Sequence, residues 1–200
     1  MHFRPALGLL LPLLGLTATA SPLLNARSAE PTDAETPVVG CSDMSFKTFG
    51  WEARAFDFHA SYIFTTPAHQ NSWGYASFDL FNPADESTAR CEASSSQLSD
   101  FFYGTVQYKC NDTLRNGATS FDFSRPANQL RVNQTWTCAD QDPQWPITFT
   151  GRGQANLTLD CTDETWENPD WEMGQIYSSR NIDCGLVDSR VVPIDLSAVA

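Results

Sequence analysis

Between Ser120 and Cys161 apolar and polar side chains alternate over consecutive strands separated by turns, and this rhythm constrains the chain more than any other feature of it. Phe121 and Phe123 point one way, Asp122 and Ser124 the other. Leu130, Val132, Gln134 and Trp136 share a face, with Arg131, Asn133, Thr135 and Thr137 opposite. From Ile147 the odd positions run Ile147, Phe149, Gly151, Gly153, Ala155, Leu157, Leu159 and Cys161, against Thr148, Thr150, Arg152, Asn156, Thr158 and Asp160. A period of two places successive side chains on opposite faces of a strand, so these are strands with one buried face.

The same rhythm extends outward. Phe56, Phe58, Ala60, Tyr62 and Phe64 alternate with polar neighbours and predict a strand from about Glu52 to Thr65, stopped by Thr66-Pro67 because proline cannot donate to a ladder. Ala76, Phe78 and Leu80 predict a second strand, ended at Asn82-Pro83. Weaker strands are expected over Thr88–Ala93 and Thr105–Cys110, and others over Gln175–Cys184 and Arg190–Leu196. The pair Gly151 and Gly153 predicts a bulge or bend. TDETWENPDWEMG, following Cys161, reads as an acidic, aromatic loop. Ser94–Gly104 holds the one short helix-like signal. The expected fold is all-β: a single-domain antiparallel β-barrel of roughly ten strands, or else a two-layer sandwich, stapled by disulfides.

The N-terminus reads as a targeting segment. Arg4 precedes the apolar run Leu7–Leu16, which is shorter than the roughly 20 residues that span a bilayer, and Ala18-Thr19-Ala20 is a small-residue cleavage site. The expected organisation is a signal peptide over 1–20, a flexible leader over 21–40 rich in Ala, Pro, Ser and Thr, and a barrel domain over 41–200. That makes the protein secreted, with no membrane attachment after signal removal. Six cysteines, at 41, 91, 110, 138, 161 and 184, suit a disulfide framework in that compartment, and the sequence alone leaves their pairing open. Three sequons, at Asn111, Asn133 and Asn156, are expected to carry glycans. Glycans at Asn133 and Asn156 would turn that sheet face to solvent.

The formal net charge is −12, and −13 once the single positive charge of Arg4 leaves with residues 1–20. That argues against nucleic acid and against anionic membrane surfaces, both of which call for clustered Lys and Arg. No Cys-x-x-Cys, His-Glu-x-x-His, Gly-x-Ser-x-Gly or calcium-loop motif is present, so no catalytic residue, metal or cofactor is assigned. His59 and His69 read as surface histidines. The acids Glu164, Glu167, Asp170 and Glu172 stand beside Trp166 and Trp171, and Trp145 falls in another loop. These three tryptophans are the candidate ligand-binding residues, while Trp51, Trp73 and Trp136 are assigned to packing. The function expected is non-enzymatic binding. Two alternatives are a cell-wall carbohydrate binder using the loop tryptophans and a hydrolase using the acidic loop.

Cys41 followed by WEARAFDF (51–58) and SFDL (77–80) resembles the opening of the Alternaria major-allergen-like secreted fungal proteins. Cys91, Cys110 and SFDFSRPANQLRVNQTW (120–136) are similar to the middle of that family, and the resemblance runs over about residues 41–185. It implies a secreted, allergen-like or effector-like β-barrel. The founding member is a disulfide-linked dimer that binds small plant phenolics, and relatives act on plants, including through thaumatin-like defence proteins. The implied partners are therefore a host defence protein or a small apolar, phenolic ligand. Catalytic residues do not carry over. The resemblance also implies Cys91–Cys110 and Cys161–Cys184 bridges, each closing about 20 residues and contributing ~3 kcal/mol. Cys41 stands where the founding member's dimer-forming cysteine lies, while Cys138 is additional. Cys41–Cys138 within one chain favours a monomer over a homodimer. Cys138–Cys161 with Cys41–Cys184 is the competing set.

Overall fold

The structure, a computed structural model, describes residues 39–47, 49–112 and 118–200. The signal peptide expected over 1–20, nearly all of the leader 21–40 and most of the turn after Asn111 lie outside these residues.

The alternation of the sequence becomes a chain of antiparallel strands. In order these are β1 (Trp51–Thr66), β2 (His69–Asn82), β3 (Ser87–Ser95), β4 (Tyr108–Lys109), β5 (Asn111–Asp112), β6 (Thr119–Ser124), β7 (Gln129–Cys138), β8 (Ile147–Asn156), β9 (Cys161–Glu167), β10 (Ser178–Cys184) and β11 (Val187–Val199). Nine of them run in the order β4-β6-β7-β8-β11-β1-β2-β3-β5. The two ends of that path, β4 and β5, are consecutive in the chain with only Cys110 between them. One short segment thus pairs with β6 on one side and β3 on the other, and the sheet nearly closes into a barrel. Cys110 is bonded to Cys91 of β3 at this seam.

β1 is long enough to serve two neighbours on one edge. Trp51 to Phe56 pairs with β11, and His59 to Phe64 pairs with β10. The handover is a bulge at Ala55, whose φ is +49° and whose amide donates to Asp188 Oδ1 at 2.7 Å. β9 pairs with β10 alone, outside the main path. This corrects the sequence reading, which took Thr162–Glu167 as part of a loop. The strand was hidden because all its side chains after Cys161 are exposed, so neither face is oily.

The barrel interior is filled with rings. Trp51, Trp136, Phe56, Phe58, Phe78, Phe121, Phe123 and Phe149 are fully buried, and Trp136 stacks between Phe49 at 4.6 Å and Phe149 at 5.5 Å. The two glycines of β8 make room for this core. A Cβ on Gly151 would stand 2.8 Å from the Trp51 ring, and one on Gly153 only 2.6 Å from it. The predicted bulge is not in β8, which pairs with β7 in unbroken register. It lies in the partner strand, between Pro193 and Asp195 of β11, opposite Gly153 and Arg152. Trp73 also departs from its packing assignment: it points outward on β2 and is 37% exposed. Asp122 keeps the polar-face position expected of it, opposite Arg131 on β7, yet is covered there and held by Arg131 Nε at 2.7 Å.

One α-helix is present among the described residues, α1 (Cys41–Lys47), and Ser94–Gly104, the expected helical signal, is instead the end of β3 followed by turns and bends. Seven residues are too few to show a helical period. Tertiary contacts hold α1 over one end of the barrel. Cys41 is bonded to Cys138 at the end of β7, and Ser45 Oγ accepts from Trp136 Nε1 at 3.0 Å. Asp140 accepts from the Ser42 amide at 3.2 Å and its hydroxyl at 2.6 Å, satisfying a donor that a helix start leaves free. The Ser42 hydroxyl bond holds the Asp140 carboxyl below the ordinary carboxylate range. A depressed carboxyl stabilises above its unfolded pKa and stops doing so as pH falls through its folded value. Asp140→Ala at neutral pH, and acidification of the unaltered protein below about pH 4, are therefore both expected to lower the protection factors of the 41–47 amides, each taken against the intrinsic exchange rate at that pH, while the β1 amides stay protected.

Candidate functional site

A cleft of about 790 Å³ opens at the barrel end remote from α1. Its walls follow from strand parity. Phe58 and Tyr62 take inward positions on β1; Arg180 of β10 stands opposite Tyr62, and Asp163 of β9 opposite Ile182. The β6–β7 turn brings Arg125 and Asn128 to the rim, and the loop after β3 brings Leu98, Asp100 and Phe101. Phe101 is folded inward at a φ of +65°, and its ring lies where a Cβ on Gly74 would meet it at 2.7 Å, so a glycine is required there.

Phe58 and Phe101, themselves buried, floor this cleft, Tyr62 and Phe64 border it, and two guanidinium and two carboxylate groups, of Arg125, Arg180, Asp100 and Asp163, line it. Arg180 holds Asp163 through two bonds, at 2.8 and 2.5 Å, and lies 5.3 Å from the Tyr62 ring centre. The Arg180 bond keeps the Asp163 carboxyl below its ordinary range, the wrong direction for a general acid. Burial pushes the Tyr62 phenol up, with Arg180 opposing, and its hydroxyl donates to the Ser99 carbonyl. Arg125 lies 5.0 Å from the Phe58 ring centre and donates to Asn128 Oδ1 at 2.6 Å and Cys161 Sγ at 3.6 Å. It has no carboxylate partner among the described residues. With Asp100 and Asp163 against Arg125 and Arg180 the cleft is balanced in charge, and its ring edges and polar groups together suit a flat ligand with hydroxyl groups at its edge.

The three candidate tryptophans lie elsewhere. Trp145 is 70% exposed in the β7–β8 loop, at the α1 end. Trp166 is 52% exposed on β9, opposite Ser179. Trp171 is half-buried in the β9–β10 turn, edge-on to Tyr177 at 5.8 Å, with its indole donating to the Gln175 carbonyl at 3.0 Å. None of the three lines the cleft, and Trp145 is not brought together with the other two. Of the acids beside them, Glu167 accepts from the Tyr177 hydroxyl at 2.8 Å, and strand alternation sends Glu164 to the face opposite Glu167. The cleft was accessible to sequence reasoning only through Arg180, a charge at the same parity as Ile182 and Cys184.

His59 Nδ1 lies 3.0 Å from Asp57 Oδ2 and stacks on Tyr75, and His69 Nδ1 lies 3.0 Å from Thr65 Oγ1. Neither joins both a carboxylate and a hydroxyl, so the described residues form no chain of acid, base and nucleophile through a histidine. Sulfur atoms of Cys41 and Cys138 stand near Asp140, but they are bonded to each other and are not free as metal ligands. The bridges are Cys41–Cys138, Cys91–Cys110 and Cys161–Cys184; the competing set is not formed. Of the sequon asparagines, Asn111 and Asn156 are exposed, while Asn133 is half-buried with its amide donating to Gln107 Oε1 at 2.9 Å.

A family model described as Alternaria alternata allergen 1 matches residues 54–184. No curated protein and no solved structure matches the chain.

Proposed function

The chain belongs to the Alternaria alternata allergen 1 family, and on that premise we propose that it is a secreted, non-enzymatic binding protein taking a small phenolic ligand in the cleft at the barrel end. The observation that carries this reading is the cleft itself: four aromatic side chains, two arginines and two aspartates around about 790 Å³, within the size range of small-molecule sites. Three disulfides are consistent with an extracellular location. The absence of a nucleophile–base pair backed by an acid, among the described residues, supports binding rather than turnover. Cys41 is spent on Cys138, which supports a monomer.

Leu98 is 68% exposed at the rim and Arg180 is exposed, so substitutions there leave the core intact. In calorimetric titration with a panel of plant phenols, Leu98→Asp and Arg180→Gln are each expected to weaken binding about tenfold, equivalent to ~1.4 kcal/mol. Their unfolding temperatures should stay within ~3 °C of the parent. A panel in which nothing binds, or binding indifferent to both changes, removes the proposal.

A further inference from the structure

A second cleft, of about 720 Å³, lies on the outward face of β6, β7 and β8. Its composition inverts that of the whole chain. The protein carries a net charge of −12, yet Lys109, Arg131 and Arg152 converge here. The strand register explains the convergence. Lys109 stands opposite Ser120, Ser120 opposite Asn133, and Asn133 opposite Arg152, one row crossing four strands. At ~4.8 Å per strand the row spans about 14 Å. Neither Lys109 nor Arg152 makes a side-chain hydrogen bond or ion pair among the described residues; Asp195 is opposite Arg152 in register but is not joined to it.

Arg131, two residues from Asn133 on the same face, is built into place. Buried Asp122 takes its Nε at 2.7 Å, and the Gly104 carbonyl takes an Nη at 2.6 Å. Gly104 has a φ of +68°, and a Cβ there would strike that guanidinium at 2.6 Å, so the loop is shaped around the arginine. Asp122 is the one carboxylate lining the cleft, and Arg131 already neutralises it. The remaining polar lining is uncharged: the Gln107 and Asn133 amides and the Ser120 and Thr150 hydroxyls. No aromatic ring lines it; its apolar surface is aliphatic, from Val132, Gly153 and the exposed Ile194, and can meet the C–H face of a sugar ring.

We propose that this cleft is a second binding site, for a short carboxylated saccharide of the oligouronide class. Guanidinium groups match carboxylates through paired hydrogen bonds, and amides and hydroxyls match a hydroxyl-rich ring. A row of about 14 Å accommodates more than one sugar unit, which distinguishes this site from a pocket for a single small anion. Asn133 lies inside the cleft, so an N-glycan on Asn133 and a ligand there exclude each other.

The test is calorimetric titration of the secreted protein carrying Thr135→Ala, which removes the sequon while leaving Asn133 itself in place. The probes are trigalacturonate, its fully methyl-esterified form and sodium sulfate. Trigalacturonate is expected to bind, and Arg152→Gln and Lys109→Gln are each expected to weaken it about tenfold with unchanged unfolding temperature. The ester is expected to bind at least about tenfold more weakly than the acid. No binding of trigalacturonate overturns the site, and an ester that binds as well as the acid overturns its anionic character. Sulfate binding as tightly as the saccharide reduces it to a simple oxyanion site and overturns the saccharide assignment. A glycan found on Asn133 of the unaltered secreted protein overturns the proposal for that form.

Discussion

Gln134→Leu is expected to destabilise the protein by about 3–5 kcal/mol, and to lower its unfolding temperature by roughly 10 °C in a chain of this size. Gln134 is 1% exposed and occupies the inward parity of β7 between Val132 and Trp136. Its Oε1 accepts from Trp51 Nε1 at 2.6 Å and from Asn82 Nδ2 at 2.9 Å, and its Nε2 donates to Thr119 Oγ1 at 3.1 Å. Asn82 and Thr119 are themselves buried. Leucine has similar bulk, so the change opens little void. It leaves the indole N–H and the Asn82 amide without their acceptor, and each orphaned buried donor costs about 1–3 kcal/mol. The Asn82 side chain also holds the Ala84 amide at 2.9 Å, so the damage extends to the β2–β3 turn. Denaturant unfolding measures the loss. A decrease below about 1 kcal/mol would mean that the network is replaceable.

Gln134 also shows where the sequence can be read and where it cannot. Its parity was legible, because Leu130, Val132 and Trp136 share its face, and β1, β2, β7 and β8 were legible for the same reason. Alternation reports burial on one face, so it loses β9, whose two faces are both wet, and α1, which is shorter than two helical turns. It puts Asp122 on the right face but does not report that Arg131 and Gln107 cover it there. Gly151 and Gly153 were visible and read as a bulge or bend, whereas what they serve is the close approach of Trp51 packed against β8. The clefts were least legible. The barrel-end site draws Tyr62, Phe101, Arg125 and Arg180 from four separate segments, and no local pattern joins residues that meet only when a sheet curls round. Exposed tryptophans drew attention in the sequence because they are conspicuous, whereas the aromatic cleft is lined by residues that alternation had assigned to the core.

The largest stability losses are expected from the disulfides, and their order is set by the loops they close. Cys41–Cys138 is separated by 97 residues and Cys91–Cys110 by 19. Restriction of the unfolded chain then predicts about 4–5 kcal/mol for the first and ~3 kcal/mol for the second. Against a total stability of roughly 5–15 kcal/mol, Cys41→Ala with Cys138→Ala brings the fold near its limit. The local consequences should run the other way. Without Cys41–Cys138, α1 loses its covalent tie, but the barrel path through β4 and β5 is untouched. Without Cys91–Cys110, the seam rests on four residue pairs, Tyr108 with Phe121, Lys109 with Ser120, Ala89 with Asp112 and Arg90 with Asn111. Hydrogen exchange is therefore expected to speed up at β3 and β6 in the Cys91→Ala, Cys110→Ala protein and at 41–47 in the other, while denaturant midpoints rank the two in the opposite sense. Greater global loss from the shorter loop would show that closing the barrel, and not confining the unfolded chain, sets the stability. The seam would then be the element on which both clefts depend, since Lys109 at its edge belongs to one and the loop that carries Phe101 into the other runs from β3 to β4.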